Sequence, residues 1–406
     1  MKTVNIIITI HLFIIALLLA SCELENSPVG IDPREGGAPD PEITSIDPEE
    51  SWLAGVDKIV ISGNNFSDNP AHNFVYFNAS EAMILEASPT ELHVRPPKDV
   101  VGDSVTVLVA VHGALNYSDP EIYTLEPAIE RWSDLLDLQR PWGIAIDADD
   151  NIYVSIQADG EDGGIKKISP DGESSDFVPR QAWFYINLRV GPDGALYGAR
   201  GPATAPLIYR APPEGGSMTS WVSGIGNIRA FDFDQNGNVW AGGNNNQYIY
   251  RITPEEDVQE FPFDHNVYSM RVYDGYLYIV AEDGGNFTIW RFQILSDDEL
   301  GQAEVYFAFT NEVGGNIGAF AVTFSEDGEM FIGTDGPDAM IIVYPDRTWE
   351  IFYPGLIEPK TRGFAWGSGN DLFVVRESHG EAPDRTTQRL FRLNTQRERA
   401  SYYGIE

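Results

Sequence analysis

Cysteine is almost missing from this chain of 406 residues; Cys22 is the only one. The folded part can therefore carry no disulfide, and packing alone must hold it. Cationic side chains are scarce as well, with 26 Lys and Arg against 62 Asp and Glu, a formal net charge of −36. An acidic excess of that size argues against nucleic-acid binding, because phosphates need cationic partners. It equally argues against docking of the folded surface on anionic lipid. Lysine is the scarcest cation, at positions 2, 58, 98, 166, 167 and 360 only. An acidic, lysine-poor surface stays soluble when salt screens charge repulsion; it fits a host living in high salt and, equally, an ordinary acidic secreted protein. Long amphipathic helical runs are lacking after residue 21, and no later stretch is long and apolar enough to span a bilayer. What the chain has instead is glycine (39), proline (26) and aromatic residues within a 43% hydrophobic composition. That combination predicts an all-β protein rich in turns, divided into one to three domains.

The N-terminus opens with Met1-Lys2 and an apolar run from Ile6 to Ala20, the layout of a secretory signal. It ends in Leu19-Ala20-Ser21-Cys22, which resembles the lipobox of bacterial lipoproteins. The resemblance implies a signal peptide over 1–21 and lipidation of Cys22, whose acyl chains anchor stably because each buried methylene contributes about 0.8 kcal/mol. Glu23-Leu24-Glu25 resembles the export signal of surface lipoproteins in some Gram-negative groups. Residues 22–40, with Pro28, Pro33 and Pro39 among Gly and acidic residues, read as a flexible tether. The expectation is an extracytoplasmic protein on the bacterial outer membrane, held at the cell surface by its lipid alone.

Between 41 and 127 come short alternating segments: 43–48, Lys58–Phe66, Asn73–Phe77, Glu91–Pro97 and Ser104–Val111. Period-two alternation with regular turns suggests a sandwich. Ser45-Ile46-Asp47-Pro48, Ile61-Ser62-Gly63-Asn64-Asn65-Phe66, Val75-Tyr76-Phe77, Leu92-His93-Val94-Arg95-Pro96 and the closing Tyr123 resemble the IPT/TIG immunoglobulin-like domain. Such domains serve as spacers or as glycan-binding scaffolds. His72, His93 and His112 lie on different segments without metal-ligand spacing and read as structural or solvated.

From 128 to 406 the chain repeats itself. A turn followed by an apolar strand recurs six times, at Ile152, Leu196, Val239, Leu277, Met330 and Leu372. Asp-Gly and Asn-Gly pairs supply the positive φ that tight hairpins require. A third strand follows each hairpin, and a fourth follows in several repeats. Four strands per roughly 40 residues is a propeller blade, and blades must stack in a ring to bury their faces. Pro141–Asp147, Asn151–Val154 and Ile168–Gly172 resemble an NHL repeat, which implies a six-bladed β-propeller. The fold class is thus all-β, an immunoglobulin-like sandwich plus a six-bladed propeller. Two segments, Glu130–Ser133 and Ala400–Tyr403, could each supply the strand that closes the last blade.

Aligned on their turns, the repeats form columns. Ile144, Leu188, Phe231, Met270, Val322 and Phe364 form an apolar column, expected between blades. Two residues earlier stand Trp142, Ile186, Arg229, Tyr268, Phe320 and Arg362; one residue later stand Ala145, Arg189, Asp232, Arg271, Thr323 and Ala365. Arginines near a channel mouth in so acidic a protein make Trp142, Arg189, Arg229, Tyr268, Arg271, Phe320 and Arg362 the candidate ligand-binding residues. Arg beside aromatics can stack on a sugar ring or pair with a carboxylate; the competing reading is that these Arg neutralise acids between blades. The loops Gln157–Gly164, Gly198–Pro206, Gly242–Gln247 and Glu377–Gln388, the last holding His379, reach the same face. Asp232–Gly237 resembles the start of a calcium loop, but its twelfth position is Gly243 rather than Glu, so a hairpin turn explains it better. A structural calcium is left unsupported, and no metal, cofactor or catalytic residue is assigned. The leading function is capture of a glycan or other small ligand by a monomer. The alternatives are a hydrolase or lyase of the gluconolactonase or virginiamycin B lyase type, and a module that binds envelope proteins.

Overall fold

The computed structural model describes residues 37–48, 52–136, 138–158, 163–201, 207–378, 380 and 387–403. The signal segment, Cys22, most of the tether and His379 lie outside the described residues. No helix among the described residues is long and apolar enough to cross a membrane. The chain divides into two compact units, with the continuous run of the second beginning at Leu125.

The first unit is an immunoglobulin-like sandwich. One sheet orders Glu42–Asp47, Ile59–Asn64, Glu91–Arg95 and Met83–Ala87; the other carries Glu121–Pro127, Gly102–Val111, Asn73–Phe77 and Ser80–Glu81. The alternation read from the sequence places every second residue inward: Ile59, Ile61, Val75, Phe77, Leu92, Val94, Val105, Val107 and Val109 are at most 1% exposed. The opening and closing landmarks meet, since Tyr123 donates its hydroxyl to the Pro48 carbonyl at 2.9 Å.

The second unit is a ring of six antiparallel sheets, each running from an inner to an outer strand. Blade 1 is Arg140–Ile146, Ile152–Gln157, Gly164–Ile168 and Ser174–Val178. Blade 2 is Phe184–Val190, Leu196–Gly201, Leu207–Ala211 and Thr219–Ser223. Blade 3 is Ala230–Phe233, Val239–Gly242, Tyr248–Ile252 and Val258–Pro262. In blade 4, Asn266–Tyr273, Tyr276–Asp283 and the long Asn286–Ser296 are followed by Glu304–Phe307. This outer strand ends at Phe307, and Phe309 starts a short helix, Phe309–Val313, with its ring fully buried. Blade 5 is Ala319–Phe324, Met330–Thr334, Met340–Val343 and Trp349–Ile351. Blade 6 is Thr361–Trp366, Asp371–Arg376 and Arg389–Asn394, and its outer strand is Ile129–Arg131, from the start of the unit. Between the two candidates for ring closure, the structure therefore uses Glu130-Arg131, and Ala400–Tyr403 does something else.

Stacking explains the burial pattern. Second strands have neighbours on both edges and adjacent blades on both faces, so Val239–Gly242 and Met330–Thr334 are buried throughout, while the outer Val258–Pro262 alternates. The apolar column lies between blades as expected: Ile144, Leu188, Phe231, Met270, Val322 and Phe364 are at most 8% exposed. The turns share one device. Asp234 accepts the Asn236 and Asn238 amides at 2.9 and 3.0 Å and the Trp240 indole at 2.9 Å. Asp147 does the same for Asp149, Asn151 and the Tyr153 hydroxyl. Gly237 supplies the positive φ of 81° that closes the hairpin.

Candidate functional site

The inner strands begin at one end of the channel, and there the sheet register breaks. Ile186 is the extra residue between the Tyr185–Arg200 and Asn187–Ala199 pairs. Tyr268, Phe320 and Arg362 occupy the same bulge in blades 4, 5 and 6, and Trp142-Gly143 in blade 1. In blade 3, Arg229 stands just before the inner strand, its amide donating to Gly242 at 2.8 Å. A bulge leaves a residue out of the ladder and re-aims its side chain. The column picked out by its Arg and aromatic content is thus a ring of six residues turned toward the channel mouth. All six line one recess there, which encloses about 30 Å³.

Around this mouth, Arg229 lies over the Tyr268 ring, its guanidinium carbon 3.9 Å from the ring centre. Tyr268 packs against Phe287 and Phe320 at 5.2 and 5.5 Å. The Lys360 ammonium sits 3.9 Å over Phe320, and Arg362 lies between Phe320 and Trp142 at 5.6 and 5.9 Å. Glu377, at the end of the second strand of blade 6, pairs with Arg362 at 3.2 Å and with Lys360 at 3.7 Å. Among the described residues no carboxylate forms an ion pair with Arg229. Burial, aided by the nearby Arg362 charge, pulls its guanidinium down to about 10. Burial also lowers the Lys360 ammonium below its ordinary range, with Glu377 opposing. Trp142 donates its indole N–H to Gln157 at 3.0 Å and stacks on Phe184 at 4.6 Å.

The seven candidates divide. Trp142, Arg229, Tyr268, Phe320 and Arg362 come together at the mouth. Arg189 and Arg271 sit deeper and converge on Asp232, at 2.8 and 3.1 Å, and the second Asp232 oxygen accepts the Val272 amide at 2.8 Å. These two arginines do neutralise an acid between blades. Arg189 still lines the floor of the recess; Arg271 does not. Below them the channel is crossed by Ala400–Tyr403. The Tyr402 hydroxyl donates to the Phe324 carbonyl at 2.8 Å and accepts its amide at 2.6 Å, while the ring lies 3.4 Å from the Arg271 guanidinium carbon. Both carboxylates of the calcium-like segment, Asp232 and Asp234, are occupied by protein donors. Among the described residues no group of three His, Cys, Asp or Glu could hold a metal ion.

A larger cavity, about 420 Å³, lies at the hairpin end beside Tyr403. Among the described residues Asp234, Asp274 and Glu326 line it and no cation does, so it adds nothing to the mouth's chemistry. Lys360 and Glu377 were missing from the sequence reading. Glu377 opens a loop assigned to this face, and Lys360 lies two residues before Arg362, so period-two alternation was the available signal for it. His72 and His112 bring their rings to 5.2 Å in the first unit, far short of a ligand set.

Residues 41–124 match the family model of the IPT/TIG domain. No curated protein shows significant sequence similarity to the chain. Similar solved structures include two auxiliary nutrient binding proteins. The one from Bacteroides thetaiotaomicron is 11% identical with a TM-score of 0.53, over 89% of this chain and 98% of that one. The one from Bacteroides ovatus is 11% identical with a TM-score of 0.50, over 89% and 98%. A calcium-binding regucalcin from Agrobacterium tumefaciens is 14% identical with a TM-score of 0.51, over 68% of this chain and 96% of that one. At these identities the likeness establishes fold alone: an IPT/TIG immunoglobulin-like domain followed by a β-propeller.

Proposed function

We propose that the protein is an extracytoplasmic binding lipoprotein, anchored through Cys22, that captures a glycan or other small ligand carrying a negative charge at the mouth of the propeller. One observation carries this reading. Among the described residues Arg229, in a chain of net charge −36, is held on Tyr268 without an ion-pair partner, and Arg362 and Lys360 both pair with the carboxylate of Glu377. Placing an unneutralised cation in a recess is costly unless something anionic enters it. The recess of about 30 Å³ admits one small group rather than a sugar ring. The ligand therefore rests across the aromatic rim and inserts a carboxylate or similar substituent toward Arg229. The Bacteroides proteins of the same fold are described as auxiliary nutrient binding proteins, a role compatible with this one.

The test is a glycan array of neutral and acidic members probed with the full chain in detergent, followed by calorimetry on the hits. Acidic glycans should be retained, with affinity reduced at least tenfold by Arg229→Ala. Retention of acidic glycans at equal strength by Arg229→Ala, or no retention by the wild type, overturns the reading.

A further inference from the structure

Resting on that reading, a second cationic cavity sets the length of the ligand. Between blades 1 and 2, on the mouth side, lies a cleft of about 280 Å³ lined by Arg140, Arg180 and Arg200 together with Gln157, Trp183 and Phe184. Its size is close to the ~300 Å³ at which small-ligand pockets begin. Among the described residues three arginines and no carboxylate line it, although acids outnumber bases by 62 to 26 in the chain; Asp159, Glu161 and Asp162, between the lining Ala158 and Gly163, lie outside the described residues. Arg200 is laid over Trp183, its guanidinium carbon 4.3 Å from the ring centre, and its buried Nε has no hydrogen-bond partner. Arg180 is exposed, and among the described residues neither Arg180 nor Arg200 forms an ion pair. Trp183 is itself fixed by donating its indole N–H to the Tyr185 hydroxyl at 3.1 Å.

The cleft and the central mouth share a wall. Gln157 and Phe184 line the cleft, and both contact Trp142, which lines the mouth: Gln157 accepts the Trp142 indole proton and Phe184 stacks on the Trp142 ring. Six of the 26 basic residues are thereby gathered on one face as two groups of three, Arg229, Arg362 and Lys360 on one side of an aromatic ridge and Arg140, Arg180 and Arg200 on the other. We infer that the ligand is a linear oligosaccharide bearing at least two anionic groups, one seated at the mouth and one in the cleft, with a sugar ring lying across the Trp142–Phe184 ridge between them. Carboxylate and sulfate satisfy arginine alike, so uronate and sulfated chains are both probes of this chemistry. Linking two anchored groups makes the second contact intramolecular, and affinity climbs steeply once the chain spans both sites.

Calorimetry with the full chain in detergent, using galacturonate oligomers of one to eight units and a matching ladder of heparin fragments, tests this directly. For at least one ladder, affinity should rise tenfold or more between the shortest member and the first that spans both groups. Arg180→Gln/Arg200→Gln should abolish that step, leaving the longer members bound no more tightly than a ligand held at the mouth alone; Arg180→Gln alone, at an exposed position, should reduce it with no change in melting temperature. Arg229→Ala should weaken every length. A flat ladder, or a step untouched by the cleft variants, overturns the two-site inference, and the central reading stands if Arg229→Ala still matters. Failure of both ladders at all lengths overturns the two together.

Discussion

Replacing Arg229 with Met should make the protein more stable and a poorer binder. Its guanidinium falls from the ordinary arginine value to about 10 in the folded protein. At about 1.36 kcal/mol per unit, the charged form is disfavoured by roughly 3 kcal/mol. The Tyr268 hydroxyl already opposes that shift, and the cation–π contact with its ring, about 0.5–1 kcal/mol, offsets a further part. Partial solvent access at the mouth screens part of the penalty, and Met keeps most of the apolar stem. A net gain of about 1–2 kcal/mol remains, equivalent to a few degrees in melting temperature for a domain of this size. The sign of the pH dependence follows from the lowered value. Above about 10 and up to the ordinary arginine value the unfolded chain holds the proton that the folded one releases, so wild-type stability recovers only as pH rises through that window. From pH 6 to 9 the advantage of Arg229→Met should therefore be constant. Binding of an acidic glycan should fall ~10–100-fold, the loss of one charge-assisted hydrogen bond of roughly 1.5–3 kcal/mol. Differential scanning calorimetry across pH, paired with titration calorimetry, reads both quantities. A variant that melts lower than wild type and binds as well would refute the argument, because Arg229 would then be a structural cation.

The deeper arginines should behave in the opposite way. Asp232→Asn leaves Arg189 and Arg271 buried without their shared carboxylate and should lower stability by about 3–5 kcal/mol, read as a fall in denaturation midpoint. Tyr402→Phe strands the Phe324 amide and carbonyl and should lower stability by about 1–3 kcal/mol, while affinity at the opposite end of the channel stays at the wild-type value. Phe231→Ala opens a cavity between blades and should lower stability by about 3–5 kcal/mol, visible in urea titration. With a net charge of −36, melting temperature should rise on going from low to multimolar NaCl; no rise would remove the case for adaptation to high salt.

Local instructions were legible because each is written within a few residues. A positive-φ turn such as Asp234–Asn238, followed by alternating side chains, specifies a hairpin wherever it occurs. Repetition of that hairpin required blades and a ring, and the column through Phe231 followed from simple alignment. The seven candidate residues rested on composition within such columns, which cannot distinguish an arginine with an acid across the blade interface from one without. That distinction depends on contacts such as Arg189–Asp232 and Arg271–Asp232, separated by 43 and 39 residues and formed only when neighbouring blades dock. The same limit applied to ring closure, where Ile129–Arg131 pairs with a strand more than 250 residues later.

Sequence by itself determined the all-β class, the immunoglobulin-like and repeated segments, the hairpins and the apolar inter-blade column, since turn conformers and period-two burial are properties of short stretches. Only the tertiary structure decided that bulges turn Trp142, Tyr268, Phe320 and Arg362 into the mouth, that Ala400–Tyr403 crosses the far end, and that Arg229 has no ion-pair partner among the described residues. Bulges, closure and charge pairing all depend on which strand edge or side chain lies opposite, and in a ring that is set by docked blades rather than by neighbours in the chain.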